Sequence, residues 1–335
     1  MKKRKILLMI VALSVVFSTQ ACSSDNAKKT DTKASGQNTA DGDKPNVYFT
    51  KEITPAALMK LYESLGSPAH GKVGIKLHMG EPGGNHFLKP AFVKDFVSTV
   101  NGTFIDACTA YGGRRTNAAD HLKVAEEHGF TAVGPVDILD ADGEISLPIE
   151  GGKHLKEVLV GSHFTDYDYI VVLTHFKGHA MGGFGGSLKN ISIGIASVAG
   201  KCLVHTAGAS STDAFQPGTK QEDFIEAMAE SAKGMIEKFK GRILYVNVMN
   251  NLSVDCDCDS SPADPTMHDV GMLASFDPVA LDKACVDLVY ASEDHGKIHL
   301  IDRIESRKGT IILDHAEQLG IGTQKYELVS LDKKM

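Results

Sequence analysis

Histidines and lysines flank a glycine-rich segment that spans residues 174–190 and reads THFKGHAMGGFGGSLKN. The histidines and lysines are His175, Lys177, His179 and Lys189. Imidazole and amine groups at this spacing can ligate a metal, transfer protons, form an imine or capture an anion. The glycines, which include Gly183, Gly185 and Gly186, allow the backbone to approach a ligand closely and to adopt positive φ. The segment therefore predicts a chemical site rather than a packing element.

We predict catalytic roles for His175, His179 and Lys189, and ligand binding by Lys177 and the three glycines. A helix over 187–196 that begins at a glycine-rich loop would offer its N–H groups to an anion, and Lys189 would add positive charge there. The alternatives are structural histidines and a surface lysine. The segment contains neither the His-Glu-x-x-His zinc motif nor the Gly-Lys-Ser/Thr motif of nucleotide-hydrolysing loops.

Two other segments place polar side chains at the carboxyl ends of predicted strands or in the loops that follow them. They contribute Lys76, His78 and Glu81 in the first case, and Arg114 and Arg115 in the second. The guanidinium fork suits carboxylate or phosphate groups, although a solvated basic turn is the alternative. Glu81 can act as an acid or base only if it is withdrawn from water. We predict that Lys76, Glu81, Arg114 and Arg115 bind the ligand.

Cys256 and Cys258 lie two residues apart and would point the same way on an extended segment. We predict that they bind a metal together with His78 and His205, with the thiols reduced or metal-bound close to His175 or His179. A redox pair and an inert surface turn are alternatives, and a disulfide across one residue would close a strained ring. The neighbouring aspartates, which are Asp255, Asp257 and Asp259, disfavour a thiolate unless a cation is present.

Strands and helices alternate along the chain and must position these loops. Strands are predicted over 73–78, 103–107, 169–173 and 243–248, and helices over 90–100, 116–128, 187–196, 221–239 and 278–289. The run from Tyr169 to Leu173 is uniformly apolar, as in strands buried inside parallel sheets. The fold class predicted is α/β, a mostly parallel sheet with helices on both faces. The polar loops would then meet at the carboxyl ends of the strands, where such sheets bind ligands.

The N-terminus resembles a bacterial lipoprotein signal. Lysines and an arginine at positions 2–5 precede the apolar run 6–17, and Ser18-Thr19-Gln20-Ala21-Cys22 resembles a lipobox. We predict a signal peptide over 1–21, lipidation of Cys22, a disordered tether over 22–46 and an α/β domain over 47–335, which could comprise two lobes. Acyl chains would hold the protein on a membrane of the cell envelope, with the outer membrane favoured. An ordinary signal peptide with an incidental cysteine is the alternative.

The net charge of the chain limits the classes of partner that the protein can bind. The 335 residues carry a net charge of −7, and removal of the four basic residues of the signal would make it −11. An acidic body argues against nucleic-acid binding. Six cysteines, one of them at the lipidation site, are too few and too scattered for a disulfide scaffold.

Four motifs in order carry a family resemblance. The segment Lys76-Leu77-His78-Met79-Gly80-Glu81, the glycine segment, Cys256-Asp257-Cys258 and the run 269–282 together resemble the domain of unknown function 362 family. The likeness covers about residues 47–329. Members are often labelled iron–sulfur centre proteins, and many relatives carry a ferredoxin-type insert after the glycine segment. This chain lacks that insert, so we expect no iron–sulfur cluster.

The glycine segment is also similar to the cofactor-lysine loop of the lactate racemase family, which anchors a nickel-pincer nucleotide. That likeness implies a catalytic or metal-binding role for His179, a cofactor lysine at Lys189 and a metal-binding role for His205. Met181 stands where the family places a cysteine ligand, which argues against nickel ligation.

These observations favour a lipid-anchored envelope enzyme that could use a metal ion and that acts on a small anionic organic molecule. A non-catalytic lipoprotein that binds a metal or an anion is the alternative.

Overall fold

The computed structural model describes residues 44–333. The predicted signal peptide, Cys22 and nearly all of the predicted tether lie outside these residues. The strands are β1 (Asn46–Thr50), β2 (Val73–Lys76), β3 (Gly102–Asp106), β4 (Val136–Ile138), β5 (Glu144–Pro148), β6 (Glu157–Gly161), β7 (Tyr169–His175), β8 (Lys177–His179), β9 (Gly183–Gly185), β10 (Ile243–Met249), β11 (Gly271–Ser275) and β12 (Glu327–Ser330).

The helices are α1 (Pro55–Ser64), α2 (Pro90–Val100), α3 (Ala118–Glu127), α4 (Ser187–Ser192), α5 (Val198–His205), α6 (Gln221–Phe239), α7 (Pro278–Ala291), α8 (Lys297–Ser306) and α9 (Ile311–Gln318). Within 44–333, none of them combines the length and the apolar character that a membrane crossing requires.

Eight strands form one sheet in the order β12-β1-β11-β10-β7-β2-β3-β4. β11 runs antiparallel to both of its neighbours, and every other adjacent pair in this sheet is parallel. β7 and β10 are buried along their whole length, which explains their nearly continuous apolar sequences. The predicted mostly parallel sheet is confirmed.

Successive residues of β7 belong to two different hydrophobic cores. Ile170 and Val172 pack in the core that contains α6 and α7, whereas Val171 and Leu173 pack in the core that contains α1 and α2. Because side chains alternate across a strand, this division shows a core on each face of the sheet. Helices therefore cover both faces, as predicted.

Most predicted elements begin and end close to their observed limits, and α2 and α6 coincide with their predictions. Asn117 and Asp277 accept hydrogen bonds from backbone N–H groups in the first turns of α3 and α7. The predicted helix over 187–196 is wrong, because α4 ends at Ser192 and Ser197 starts a separate helix as its N-cap.

Candidate functional site

The carboxyl ends of four parallel strands bring the polar residues together. Lys76 ends β2, Asp106 ends β3, His175 ends β7, and Asn250 follows β10. Asn190 of α4 ties two of these strands, because its side-chain amide donates to the carbonyl of Leu173, 3.3 Å away, and lies 3.4 Å from that of Lys76. The site therefore lies where an α/β sheet is expected to bind a ligand.

A buried ion network joins the first two predicted loops. The Lys76 ammonium is fully buried and lies 3.2 Å from Asp106, which also faces Arg115 at 3.8 Å. Arg115 in turn contacts Glu81 at 2.6 Å. Burial opposes the ionisation of Asp106, but Lys76 and His121 hold its pKa well below its usual range. Lys76 and Arg115 are thus occupied by protein carboxylates, which corrects the prediction that they contact the ligand.

Asp257 forms the centre of a second network. Its carboxylate accepts from Nδ1 of His175 at 2.9 Å and lies 3.0 Å from Nζ of Lys177. Burial works against its charge, but His175 and Lys177 keep the pKa of Asp257 well below its usual range. Lys177 also donates to the carbonyl of His175 at 2.8 Å, so this lysine is occupied rather than available to a ligand.

Both ring nitrogens of His175 face hydrogen-bond acceptors. Nδ1 faces Asp257, and Nε2 lies 2.6 Å from the carbonyl oxygen of Asn250. Both ring nitrogens are therefore engaged with oxygens of the protein rather than free to contact a substrate. The geometry gives His175 a positioning role, which corrects its predicted catalytic role.

His78 lies between the two networks. Its Nδ1 accepts from the backbone N–H of Gly80 at 3.0 Å. Burial and the charge of Arg115 lower the pKa of His78 well below its usual range, so the imidazole is neutral at pH 7.

The glycine-rich segment is a packed hairpin of β8 and β9 rather than an open loop. A Cβ on Gly183, which has φ +80°, would lie 2.9 Å from the Cα of Gly309, and one on Gly186 would lie 2.5 Å from Cγ of Asp282. Gly185 is also buried, beside the Lys177 side chain. The three glycines make room for other parts of the protein, and ligand binding by their backbone stays a prediction.

Gly178 was not among the predicted site residues, yet it also allows another part of the protein to approach the hairpin closely. A Cβ there would lie 2.3 Å from the carbonyl oxygen of Val254. Its N–H donates to the carbonyl of Ser253 at 2.8 Å, which holds the cysteine segment against β8.

The N-terminus of α4 is capped by a carboxylate from α7. Asp282 accepts from the N–H groups of Ser187 at 2.7 Å and Leu188 at 2.9 Å, and from the amide of Asn247 at 2.8 Å. The N–H groups predicted to hold a ligand anion are therefore already satisfied. Asp282 is completely buried, and burial raises the pKa of its carboxyl to about 6.

Lys189 on α4 stands apart from the other cations of the site. Within residues 44–333, its ammonium makes no hydrogen bond and no ion pair. Burial, reinforced by the charges of Lys177 and Lys76, lowers the pKa of Lys189 to about 7. The side chain is partly exposed, so a ligand can reach it.

His179 and His205 complete the group around Lys189. Nδ1 of His179 accepts from the N–H groups of Gly182 at 2.8 Å and Met181 at 3.2 Å, so a neutral ring carries its proton on Nε2. Burial, followed by the charge of Lys189, lowers the pKa of His179 well below its usual range. Burial also lowers the pKa of His205 to about 4, and the ring stacks on Phe224 at 5.1 Å.

Cys256 and Cys258 form a disulfide, which corrects the prediction of reduced or metal-bound thiols. The segment is a turn, in which the N–H of Asp259 donates to the carbonyl of Cys256 at 2.9 Å. The turn brings the two Cα atoms to 5.2 Å, within the range that a disulfide can bridge. The predicted closeness to a histidine is present: one ring nitrogen of His179 lies within 4.8 Å of both sulfurs.

Two clusters within 44–333 bring potential metal ligands together: His179 with Cys256 and Cys258, and His154 with Asp223 and Glu226. His78 and His205 belong to neither cluster, and their metal roles stay predictions. The first set offers thiolates only after reduction of the disulfide. In the second, Glu226 already contacts His154 at 2.6 Å and Lys153 at 2.7 Å.

A cleft of about 450 Å³ opens beside the disulfide. Its lining residues include Glu81, Tyr111, Arg114, Cys256 and Cys258. Arg114 is half-exposed and paired with Glu127 at 2.6 Å, so it is the predicted arginine that a ligand in the cleft can reach. His175, His179, Lys189 and His205 do not line the cleft, although Ala180, next to His179, does.

Sequence reasoning missed the residues that organise the site. Asp257 and Asp282 each bind partners more than 80 positions away in the chain. Lys201 is a further buried lysine, whose pKa is lowered to about 8 by burial and whose ammonium donates to the carbonyl of Ala196. The alternation of aspartate and cysteine over 255–259 was the one feature of the sequence that pointed to Asp257. It does not show which of the three aspartate carboxylates is buried in the site.

Fold and site together define an α/β protein with a buried, charge-rich site at the carboxyl edge of its sheet. The family model described as "Domain of unknown function (DUF362)" matches residues 73–287, and the chain belongs to this family. A search of curated proteins found no match.

Two solved structures are weakly similar in fold. The lactate racemase apoprotein from Thermoanaerobacterium thermosaccharolyticum is 16% identical with a TM-score of 0.39, and the likeness covers 61% of this chain and 50% of that one. A protein from Thermotoga maritima is 12% identical with a TM-score of 0.39, covering 81% of this chain and 60% of that one. The chain thus spans between half and two thirds of the length of these neighbours. Structural similarities this weak do not bear on its function.

Proposed function

We propose that this protein is an enzyme that acts on a small anionic organic molecule at Lys189 and His179. The observation that carries the proposal is the absence of a carboxylate beside Lys189 among residues 44–333. The buried carboxylates of Glu81, Asp106 and Asp257 each contact another cation. A partly buried cation without an anion is unfavourable, and a bound anionic ligand would supply the missing charge.

Lys189 is suited to proton transfer. An amine whose pKa is about 7 is present in both protonation states at neutral pH, which is where general acid–base catalysis is most effective. A bound anion would increase the affinity of the amine for a proton, so in the complex Lys189 would be mainly protonated and would pair with the anion as a proton donor.

His179 has a different role in the proposal. Because Nδ1 accepts two backbone N–H groups, the neutral ring presents Nε2–H as a hydrogen-bond donor. Such a donor would stabilise negative charge that develops on the substrate. His175 and Asp257 position this region and take no proton from the substrate.

Lipid anchoring is part of the same proposal and rests on the lipobox-like segment that ends at Cys22. The enzyme would then work at a membrane surface of the cell envelope.

The test uses a panel of small carboxylates and organic phosphates. Ligands would be identified from thermal unfolding, and turnover of each ligand would be followed by proton NMR. At about 100 times Kd, a ligand would stabilise the folded wild type by about 2.7 kcal/mol. Lys189→Met would abolish this stabilisation, whereas His179→Gln would bind but turn over at least about a hundredfold more slowly.

Lys94→Met is the matched control, because Lys94 is exposed on α2. It would retain both binding and turnover. Binding by wild type without turnover of any ligand would support the non-catalytic alternative, and binding that survives Lys189→Met would contradict the proposed site.

A further inference from the structure

The disulfide between Cys256 and Cys258 belongs to the wall of the cleft. Both residues line it, and Cys258 is more exposed than Cys256, of which only 6% is accessible. A cleft of about 450 Å³ has the size of a small-molecule site. A small thiol could therefore reach the bond, and Cys258 is the sulfur it would meet more easily.

The acidic neighbours do not oppose a thiolate here as strongly as their charges suggest. Asp257 is neutralised by Lys177 and His175, and Asp255 is paired with Arg303 at 3.1 Å. Only Asp259 lacks a cation within ion-pair distance in the described part of the chain. Two of the three aspartates next to the cysteines are therefore paired with positive charges, and their repulsion of a cysteine thiolate is reduced.

A backbone donor is placed to stabilise a thiolate on Cys256, and the His179 ring lies beside both sulfurs. The backbone N–H of Cys258 points at Sγ of Cys256, 3.2 Å away. One ring nitrogen of His179 lies within 4.8 Å of both sulfurs, so the imidazole lies beside the bond that breaks. Cys256 is therefore the better leaving group when the bond is broken.

We propose that Cys256 and Cys258 form a dithiol–disulfide exchange centre for a small thiol compound that enters the cleft. The thiolate of that compound attacks Sγ of Cys258, the S–S bond breaks, and its electron pair goes to Sγ of Cys256. A second thiol attacks the external sulfur of the mixed disulfide and releases Cys258. Two thiols are thus oxidised to one external disulfide, and the two protein sulfurs take up the two protons.

This activity does not depend on the proposed anionic substrate, since it uses the disulfide and not Lys189. Exchange with an uncharged thiol needs no anionic ligand, so the two proposals can fail separately, and Lys94→Met should leave the exchange unchanged.

The experiment measures exchange in the folded full-length protein with dithiothreitol as the thiol. Samples are quenched with a maleimide at intervals, and mass spectrometry counts the labelled cysteines while circular dichroism monitors folding. We expect two additional labels on Cys256 and Cys258 without unfolding, and none on the buried Cys108, Cys202 and Cys285. Oxidised glutathione should restore the disulfide.

Variants test the roles of the individual groups. With oxidised glutathione, Cys256→Ser should form a mixed disulfide on Cys258 faster than Cys258→Ser forms one on Cys256. His179→Gln should slow reduction about tenfold or more, because the leaving thiolate loses the imidazole that lies beside it. Since the wild type and His179→Gln carry the main result, it does not depend on folding of the serine variants.

Labelling that requires denaturant would overturn the proposal. Equal rates of reduction in wild type and His179→Gln would contradict the proposed role of His179 in stabilising the leaving thiolate. Capture of one Zn²⁺ per reduced chain, lost in His179→Gln, would replace it with a metal site that forms on reduction.

Discussion

Asp257 shows how much of the site depends on one side chain. Its carboxylate holds His175 and Lys177, and both flanking cysteines line the cleft. The residue thereby couples the end of β7 to the cysteine turn through contacts about 80 positions apart in the chain. Removal of one partner from such a buried ion pair usually costs several kcal/mol, because the other charge is left unpaired.

Lys189→Met should stabilise the folded protein at pH 7 by about 1–2 kcal/mol, a modest value because the amine is partly exposed. The native pKa of about 7 lies below the ordinary 10.5, so between these values the unfolded state holds the extra proton. The unfolding free energy of wild type relative to the variant should therefore rise from pH 7 to pH 10. Urea unfolding at several pH values measures the difference, and Lys94→Met should show no such trend. A constant difference would refute the lowered pKa.

At the scale of elements, the short helix α4 is held by long-range contacts rather than by its own length. Its six residues are too few for independent stability, and Asp282 of α7 replaces the cap that Gly186 cannot provide. Asn247 of β10 donates to the same carboxylate, so helix and sheet share one buried acceptor. Lys189 is positioned by this arrangement.

Asp282→Asn should destabilise the fold by about 2–3 kcal/mol. An amide offers one oxygen where the carboxylate uses two, so its NH₂ group would face either the N–H of Leu188 or the donors of Ser187 and Asn247. Urea unfolding measures the loss, and hydrogen exchange should show faster exchange at Ser187 and Leu188. Asp302→Asn, on the exposed surface of α8, is the matched control and should be neutral. Wild-type protection of α4 in Asp282→Asn would contradict this capping.

At the scale of the whole molecule, the two cores on opposite faces of the sheet leave its carboxyl edge as the place where polar loops gather. The chain reaches this architecture as a member of the DUF362 family, without the cysteine-rich insert of ferredoxin type. We propose that the lipobox-like segment that ends at Cys22 is lipidated and places this domain on a membrane surface.

Expressed in a bacterium with its own N-terminus, the wild type should partition into the detergent phase of a Triton X-114 extract. Cys22→Ser should either keep its signal peptide or move to the aqueous phase, because acylation needs the thiol. Ser24→Ala should behave as the wild type. Aqueous partitioning of the processed wild type would contradict lipidation.

The sequence by itself determined the elements and their order. Local patterns sufficed for this, since α2, α6 and β7 follow from apolar periodicity and Asn117 and Asp277 from capping chemistry. It also indicated that the segments around His78, Arg115, His179 and Cys256 lie at one edge of the sheet, because parallel strands deliver their carboxyl ends to the same side.

Only the tertiary structure decided which of these side chains remain available for chemistry. Asp257 occupies His175, Asp282 occupies the start of α4, and Glu81 and Asp106 occupy Arg115 and Lys76. Lys189 is left without an anion among the described residues. Charge pairing is settled by distances between residues far apart in sequence, and no local pattern records those distances.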